Sequence, residues 1–169
     1  MTLPSIKIAA TLGTLLLATP AVAEDPTDAA RYSQFLGTAC ILDDLGPQAL
    51  KLAVIMAKSA GFAETMLTDQ AAMLATDDGV MLTLGVDTEG GLACNNLIPG
   101  SALDAAGHDA LLERTRQTFT SLYGVPEITP VSGGEVWRIA GTNDNTLTVQ
   151  MTRQGDTTIV DARSNPGAP

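Results

Sequence analysis

The chain has 169 residues, a formal net charge of −10 and a sequence pI of about 4.2, with 45% hydrophobic and 4% aromatic residues. This acidity argues against binding to nucleic acid or to anionic lipid, because both need a basic surface. The hydrophobic content is too high for a disordered chain, and the length suits one domain.

Residues 1–23 have the pattern of a secretory signal peptide. Lys7 precedes the uncharged apolar stretch Ile8–Thr19, and small residues follow up to Ala23. Signal peptidase needs small side chains at these positions, so we expect cleavage between Ala23 and Glu24. The apolar stretch is shorter than the roughly 20 residues that span a bilayer. The sequence therefore predicts a soluble exported protein, periplasmic or secreted, with a bacterial-type signal.

Two helices are predicted before the first strand. Asp25 is a suitable N-cap for a helix over Pro26–Gly37, with proline at the first helical position. A second helix is predicted over Pro47–Ala60. Its segment Ala49–Ala57 is apolar on nearly every face, so we expect this helix to be central and covered on most sides.

Six strands and a third helix are predicted after these two helices. The predicted strands are Ala71–Thr76, Val80–Val86, Leu92–Ile98, Glu135–Ala140, Thr146–Arg153 and Thr157–Arg163. The third helix should begin with Ser101 as its cap and end near Tyr123, which separates the strands into two groups of three. The order α-α-βββ-α-βββ predicts an α+β fold with antiparallel sheets covered by helices. One domain is expected over residues 24–163, followed by a disordered tail at 164–169.

Cys40 and Cys94 are the two cysteines of the chain. Export delivers a protein to an oxidising compartment, and an even number of cysteines favours pairing. We therefore predict an intramolecular disulfide that joins the segment before the apolar helix to the third strand. Two buried free thiols, an intermolecular pair or a reactive thiol are the alternatives.

Ser101, Asp104 and His108 have the residue types of a hydrolase triad and spacings that place them on one helix face. A working triad instead brings its members together from separate elements beside an oxyanion hole. The sequence is better explained by Ser101 as a helix cap, Asp104 stabilised by the helix dipole and His108 at the surface.

No metal or cofactor site is predicted. The chain has one His, whereas a zinc site needs three or four ligands. The methionines after the signal peptide are scattered along the sequence, and core filling is their expected role. The acidic turns lack the spacing of a calcium-binding EF-hand loop. The nucleotide-binding, dinucleotide-binding, esterase and C-x-x-C motifs are all missing.

The segment from Cys40 to Ile98 consists of Cys40-Ile41-Leu42, a helix that ends before Gly61-Phe62-Ala63-Glu64, and three predicted strands. This arrangement resembles one βαβββ module of the vicinal-oxygen-chelate (glyoxalase-like) fold. Enzymes of that family need a second module and His or Glu metal ligands on strands. The second half of this sequence has no clear leading strand and no predicted strand holds a His, so no site residue is carried over.

The sequence has clear signals for helices and strands but no motif or residue cluster for catalysis. This combination favours a non-catalytic binding or interaction module of the bacterial envelope. Such a module would use its sheet face or a helix–sheet groove to bind a protein or a small molecule. A hydrolase whose carboxylates meet only in the fold, and a structural envelope protein, are the alternatives. Two carboxylates with raised pKa in a concave pocket would favour the enzyme. A flat apolar patch of several hundred Å² would favour the interaction module.

Overall fold

The computed structural model describes residues 32–33, 35–36, 40, 47–86, 90–141 and 145–165. The predicted signal peptide, the predicted cleavage site between Ala23 and Glu24 and most of the predicted helix Pro26–Gly37 lie outside these residues. Tyr32 and Phe35, which belong to that predicted helix, are helical and buried.

The elements of the described residues after position 46 are two helices and eight strands. In chain order they are α1 (Pro47–Ser59), β1 (Ala63–Leu67), β2 (Ala71–Ala75), β3 (Met81–Val86), β4 (Leu92–Ile98), α2 (Ala105–Tyr123), β5 (Glu127–Val131), β6 (Gly134–Ala140), β7 (Thr146–Gln154) and β8 (Thr157–Asn165). The α+β class with an antiparallel sheet is therefore confirmed. The predicted order was wrong, because α1 and α2 are each followed by four strands rather than three.

All eight strands form one antiparallel sheet in the order β1-β2-β3-β4-β8-β7-β6-β5. Each helix and the four strands after it make one half, and each half is an antiparallel meander. The halves meet where β4 pairs with β8, from Ala93 opposite Arg163 to Ile98 opposite Thr158. A single βαβββ module does not describe the first half, since four strands follow α1.

The two strands that sequence analysis missed, β1 and β5, form the two edges of the sheet. Every residue of both strands is exposed. A bulge interrupts the pairing of β1 between Glu64 and Met66, and β5 contains Pro130. Bulges and proline are the features that edge strands tolerate and that central strands do not. At the sheet centre, β8 extends two residues past the predicted Arg163, and Ser164 is buried in the strand instead of lying in the predicted tail.

The hydrophobic core lies between one face of the sheet and the helices. Leu82, Leu84 and Val149 point to this inner face, as does the fully buried Trp137. Helix α1 packs on β2 and β3. Helix α2 packs through Phe119, whose ring meets the Trp137 indole edge-on at a centroid distance of 5.8 Å.

Helix α1 is buried on one side only. Ala53, Val54 and Ala57 are buried against the sheet, which confirms that this helix lies over β3. Leu52 and Ile55 are 40% and 59% exposed, so the prediction of cover on most sides was wrong. The reason is the two-layer architecture, in which a helix on a sheet contacts it along one stripe.

The predicted disulfide between Cys40 and Cys94 is present, with the two Cα atoms 5.3 Å apart. Both cysteines are buried. The bond connects the segment before α1 to the inner face of β4, and neither cysteine lies in the second half of the molecule. In the part of the chain that the structure describes, no helix is long and apolar enough to cross a membrane.

Candidate functional site

The outer face of β1–β4, opposite the helices, has three methionines side by side on adjacent strands. Met66 of β1 pairs directly with Met73 of β2, and Met73 pairs with Thr83 of β3. Met81 lies two residues before Thr83 and therefore points to the same side of the sheet. The side chains of Met66, Met73 and Met81 are 43%, 41% and 49% exposed. We call this surface the methionine face.

The methionine face carries no charged side chain. Its other members are small, apolar or uncharged polar residues: Ala63, Ala71, Ala75, Thr83, Gly85, Ala93, Asn95 and Leu97. The only charged residue in β1–β4 is Glu64, which points to the helix side and pairs with Lys58 of α1 at 2.6 Å. In a chain of net charge −10, a charge-free surface on four adjacent strands is unusual.

The other half of the outer sheet face, unlike the methionine face, carries charged side chains. Asp161 and Arg163 of β8 form an ion pair at 3.0 Å, and Arg138 of β6 lies opposite Glu127 of β5. One cross-strand row of outward residues runs from Met73 to Gln150 on β7. Its intermediate members, each paired with the next, are Thr83, Asn95 and Asp161. The lack of charge is therefore a property of β1–β4 and not of the sheet face in general.

Sheet geometry gives the approximate size of the methionine face. Four strands at about 4.8 Å spacing, each five to seven residues long at about 3.4 Å per residue, cover roughly 400 Å². The largest apolar patch on a typical monomer is about 300–600 Å² and is often functional. A charge-free and largely apolar surface of this size is the kind of feature that favours an interaction module.

Three of the methionines thus have a different role from the predicted core filling. Met151 does fill the core and is fully buried, whereas Met66, Met73 and Met81 are exposed. Sequence alone could not show this, because their grouping depends on the register of two hairpins. The signal that the sequence offers is the side-chain period of two in a strand, which puts Met73 and Met81 on the face opposite to their neighbours Leu74 and Leu82.

The structure does not bring Ser101, Asp104 and His108 together as a triad. Helix α2 begins at Ala105, and its cap is Asp104, whose Oδ1 accepts a hydrogen bond from the Gly107 N–H at 2.8 Å. Ser101 was predicted to cap this helix, but it is exposed in the preceding turn. His108 was predicted at the surface, but it is buried, and its Nδ1 lies 3.1 Å from the Thr158 hydroxyl.

Burial also sets the protonation of His108. Desolvation lowers the pKa of the imidazole, Asp109 raises it, and Arg153 lowers it, with a net decrease below 6.5. A neutral imidazole packed on a threonine of β8 joins α2 to the sheet centre. Asp104 caps α2 and Ser101 lies in the preceding turn, so His108 has a packing role rather than a role in a triad.

The described residues include one carboxylate with a clearly shifted pKa, Glu135 of β6. Burial raises its pKa, but hydrogen bonds from the Trp137 indole at 2.8 Å and from Arg116 at 2.7 Å lower it, as does the Arg116 charge, and the net shift is downward. A carboxylate with a lowered pKa stays ionised and is a poor general acid. Glu135 thus joins α2 to β6 through Arg116.

Asn96 is a buried polar residue without a visible partner. Its side chain lies on the inner face of β4 with 0% exposure, and neither amide atom has a hydrogen-bond partner in the structure. An unsatisfied buried polar group costs about 1–3 kcal/mol. Asn96 is therefore a position where this fold gives up stability.

Among the residues that the structure describes, no group of three or more His, Cys, Asp or Glu side chains could hold a metal ion. Comparison of the chain with family models, with curated proteins and with solved structures found no match. Function is therefore inferred from the shape and charge of the protein's own surface.

Proposed function

We propose that this protein is a non-catalytic interaction module of the bacterial envelope that associates with a second copy of itself through the methionine face. The observation that carries the proposal is the charge-free surface of roughly 400 Å². The envelope location is supported by the signal-peptide pattern of residues 1–23 and by the Cys40–Cys94 disulfide.

Charge explains why a second copy is a suitable partner. Two chains that each carry a net charge of −10 repel one another over most of their surfaces. Contact through the methionine face places no like charges opposite each other and removes exposed Met66, Met73 and Met81 from water. Methionine side chains are flexible and adapt to an opposing surface, which favours packing of one such face on another.

The size of the methionine face predicts a weak, reversible dimer. Burying it on both copies removes roughly 800 Å² in total, which is at the lower end of transient complexes and below the 1,200–2,000 Å² of stable ones. The two sheets would pack face to face at about 10 Å separation, as in a sandwich.

Sedimentation equilibrium of the purified mature protein, from micromolar to millimolar concentration, tests the proposal. We expect a monomer–dimer equilibrium that Met73→Glu abolishes, because it places two carboxylates in the centre of the interface. The matched control is Gln150→Glu, an exposed residue in the same cross-strand row on the other half of the sheet, and it should leave the equilibrium unchanged.

A charge-swap experiment separates dimerisation from other effects of the substitution. Met73→Glu and Met73→Lys should each be monomeric alone and should associate when mixed, since opposite charges then meet across the interface. A native protein that is monomeric at every concentration would overturn the proposal. Equal weakening by Met73→Glu and Gln150→Glu would also overturn it.

A further inference from the structure

A groove of about 520 Å³ lies between α1 and the turn that joins β1 to β2. Its volume is within the 300–1,000 Å³ range of small-molecule sites. Leu50 and Val54 of α1 are 2% and 5% exposed and form its floor, while the half-exposed Ile55 and Leu67 form its walls. The groove is separate from the methionine face, because it lies on the helix side of the sheet.

The lysines of the protein are concentrated at this groove. Apart from Lys7 in the predicted signal peptide, the chain has only two, Lys51 and Lys58, and both line the groove. Lys58 is paired with Glu64 of β1 at 2.6 Å, so the end of the groove at Lys58 has no net charge. Lys51 forms no ion pair in the described part of the chain.

Chain geometry places Lys51 at the opposite end of the groove from the Lys58–Glu64 pair. Lys51 precedes Lys58 by seven residues, or about 10 Å along the helix. Leu67 follows Glu64 by three residues, or about 10 Å along the strand. Because a short connection joins α1 to β1, the two elements run in opposite directions, and Lys51 is level with the turn that contains Asp69.

Asp69 is the second charged group at this end. Asp69 is exposed and lines the groove and, like Lys51, it has no ion-pair partner within the described residues. The groove therefore has an ammonium and a carboxylate at one end, an apolar floor along its length and a neutralised ion pair at the other end.

We infer that this groove binds a free apolar α-amino acid. The ligand carboxylate would bind the Lys51 ammonium, and the ligand ammonium would bind Asp69. The apolar side chain would lie along Leu50 and Val54 towards the other end. A ligand with only a carboxylate would be repelled by Asp69, and one with only an ammonium would be repelled by Lys51, so a zwitterion fits best.

Isothermal titration calorimetry of the full mature protein with L-leucine tests this inference. The matched probes are N-acetyl-leucine, which lacks the ammonium, and leucinamide, which lacks the carboxylate. We expect leucine to bind, and each matched probe to bind at least tenfold more weakly, because a hydrogen bond to a charged group contributes about 1.5–3 kcal/mol.

Lys51→Gln and Asp69→Asn should each weaken leucine binding about tenfold or more, because each substitution removes one charge-assisted hydrogen bond to the ligand. The controls are Arg114→Gln and Asp109→Asn, which make comparable changes at exposed residues of α2 and should leave binding within about twofold, as for distant and independent sites. Circular dichroism of each variant establishes that it is folded.

Three results would overturn the inference. They are no leucine binding at millimolar concentration, equal affinity for leucine and either matched probe, and binding that is unchanged in both Lys51→Gln and Asp69→Asn. None of them depends on the oligomeric state, so the inference can fail or stand independently of the methionine face.

Discussion

Removal of the Cys40–Cys94 disulfide should destabilise the whole sheet, although neither cysteine lies in the second half. The proposed change is the double variant Cys40→Ala/Cys94→Ala. Oxidised and reduced wild-type protein are compared with it, because reduction opens the bond without removing either sulfur atom from the core.

The expected magnitude follows from the length of the loop. The two cysteines are 54 residues apart, and the chain-entropy relation gives about 4 kcal/mol of stabilisation at 25 °C for such a loop. At about 2–4 °C per kcal/mol for a protein of this size, the thermal midpoint should fall by roughly 8–16 °C. The double alanine variant should lose slightly more than the reduced protein, because it also lacks two buried sulfurs.

Urea unfolding followed by Trp137 fluorescence and by circular dichroism measures this loss. Trp137 is the only tryptophan, is fully buried and lies on β6 in the half without the disulfide. Because β4 and β8 join the halves through a continuous ladder, we expect both signals to shift together. An unchanged tryptophan transition would show that the halves unfold independently, and a loss below about 1 kcal/mol would refute the loop argument.

Four further predictions concern single positions. Val54→Asp should cost about 3 kcal/mol or more in urea unfolding, because it buries an unpaired carboxylate at a site that is 5% exposed; an unchanged midpoint would contradict the observed core. The unfolding free energy should fall as the pH drops below 6.5, because the His108 pKa is lowered in the folded state and the unfolded imidazole takes up the proton first. His108→Gln should flatten that pH dependence, and an unaltered slope would assign it to other groups. Asn96→Leu should raise stability by about 1–2 kcal/mol, since it replaces an unsatisfied buried amide; lower stability would mean that the amide makes a favourable interaction. Mass spectrometry of the exported protein should find Glu24 at the N-terminus, and a chain that retains residues 1–23 would contradict export.

Elements with a buried face could be predicted from the sequence. Alternation along Val80–Val86 and Thr146–Arg153 identified β3 and β7, and the apolar run after Pro47 identified α1. The edge strands could not be found in this way, because an edge with every residue exposed has no periodic apolar pattern. Pro130 gives the β5 segment a composition that is typical of a connection, although proline is acceptable on an edge strand.

Properties that depend on strand register or on contacts between distant segments could also not be predicted from the sequence. Met66 and Met73 are seven residues apart, and only the bulged pairing of β1 with β2 makes them neighbours. His108 was assigned to the surface because its own helix gave no sign that Thr158, fifty residues later, would cover it. In both cases the deciding neighbour comes from a distant part of the chain.

The position of β8 makes the sheet depend on its last strand. Among the strands that the structure describes, β8 comes last in the chain, yet it occupies a central place between β4 and β7. A chain that stops before Thr157 would therefore not lose an edge. It would separate into a four-stranded and a three-stranded ribbon, each with a long edge strand whose backbone groups are unpaired, which is the kind of edge that drives aggregation. Degradation or misprocessing that removes residues 157–165 should thus produce insoluble material, whereas loss of an edge strand would leave the centre of the sheet intact.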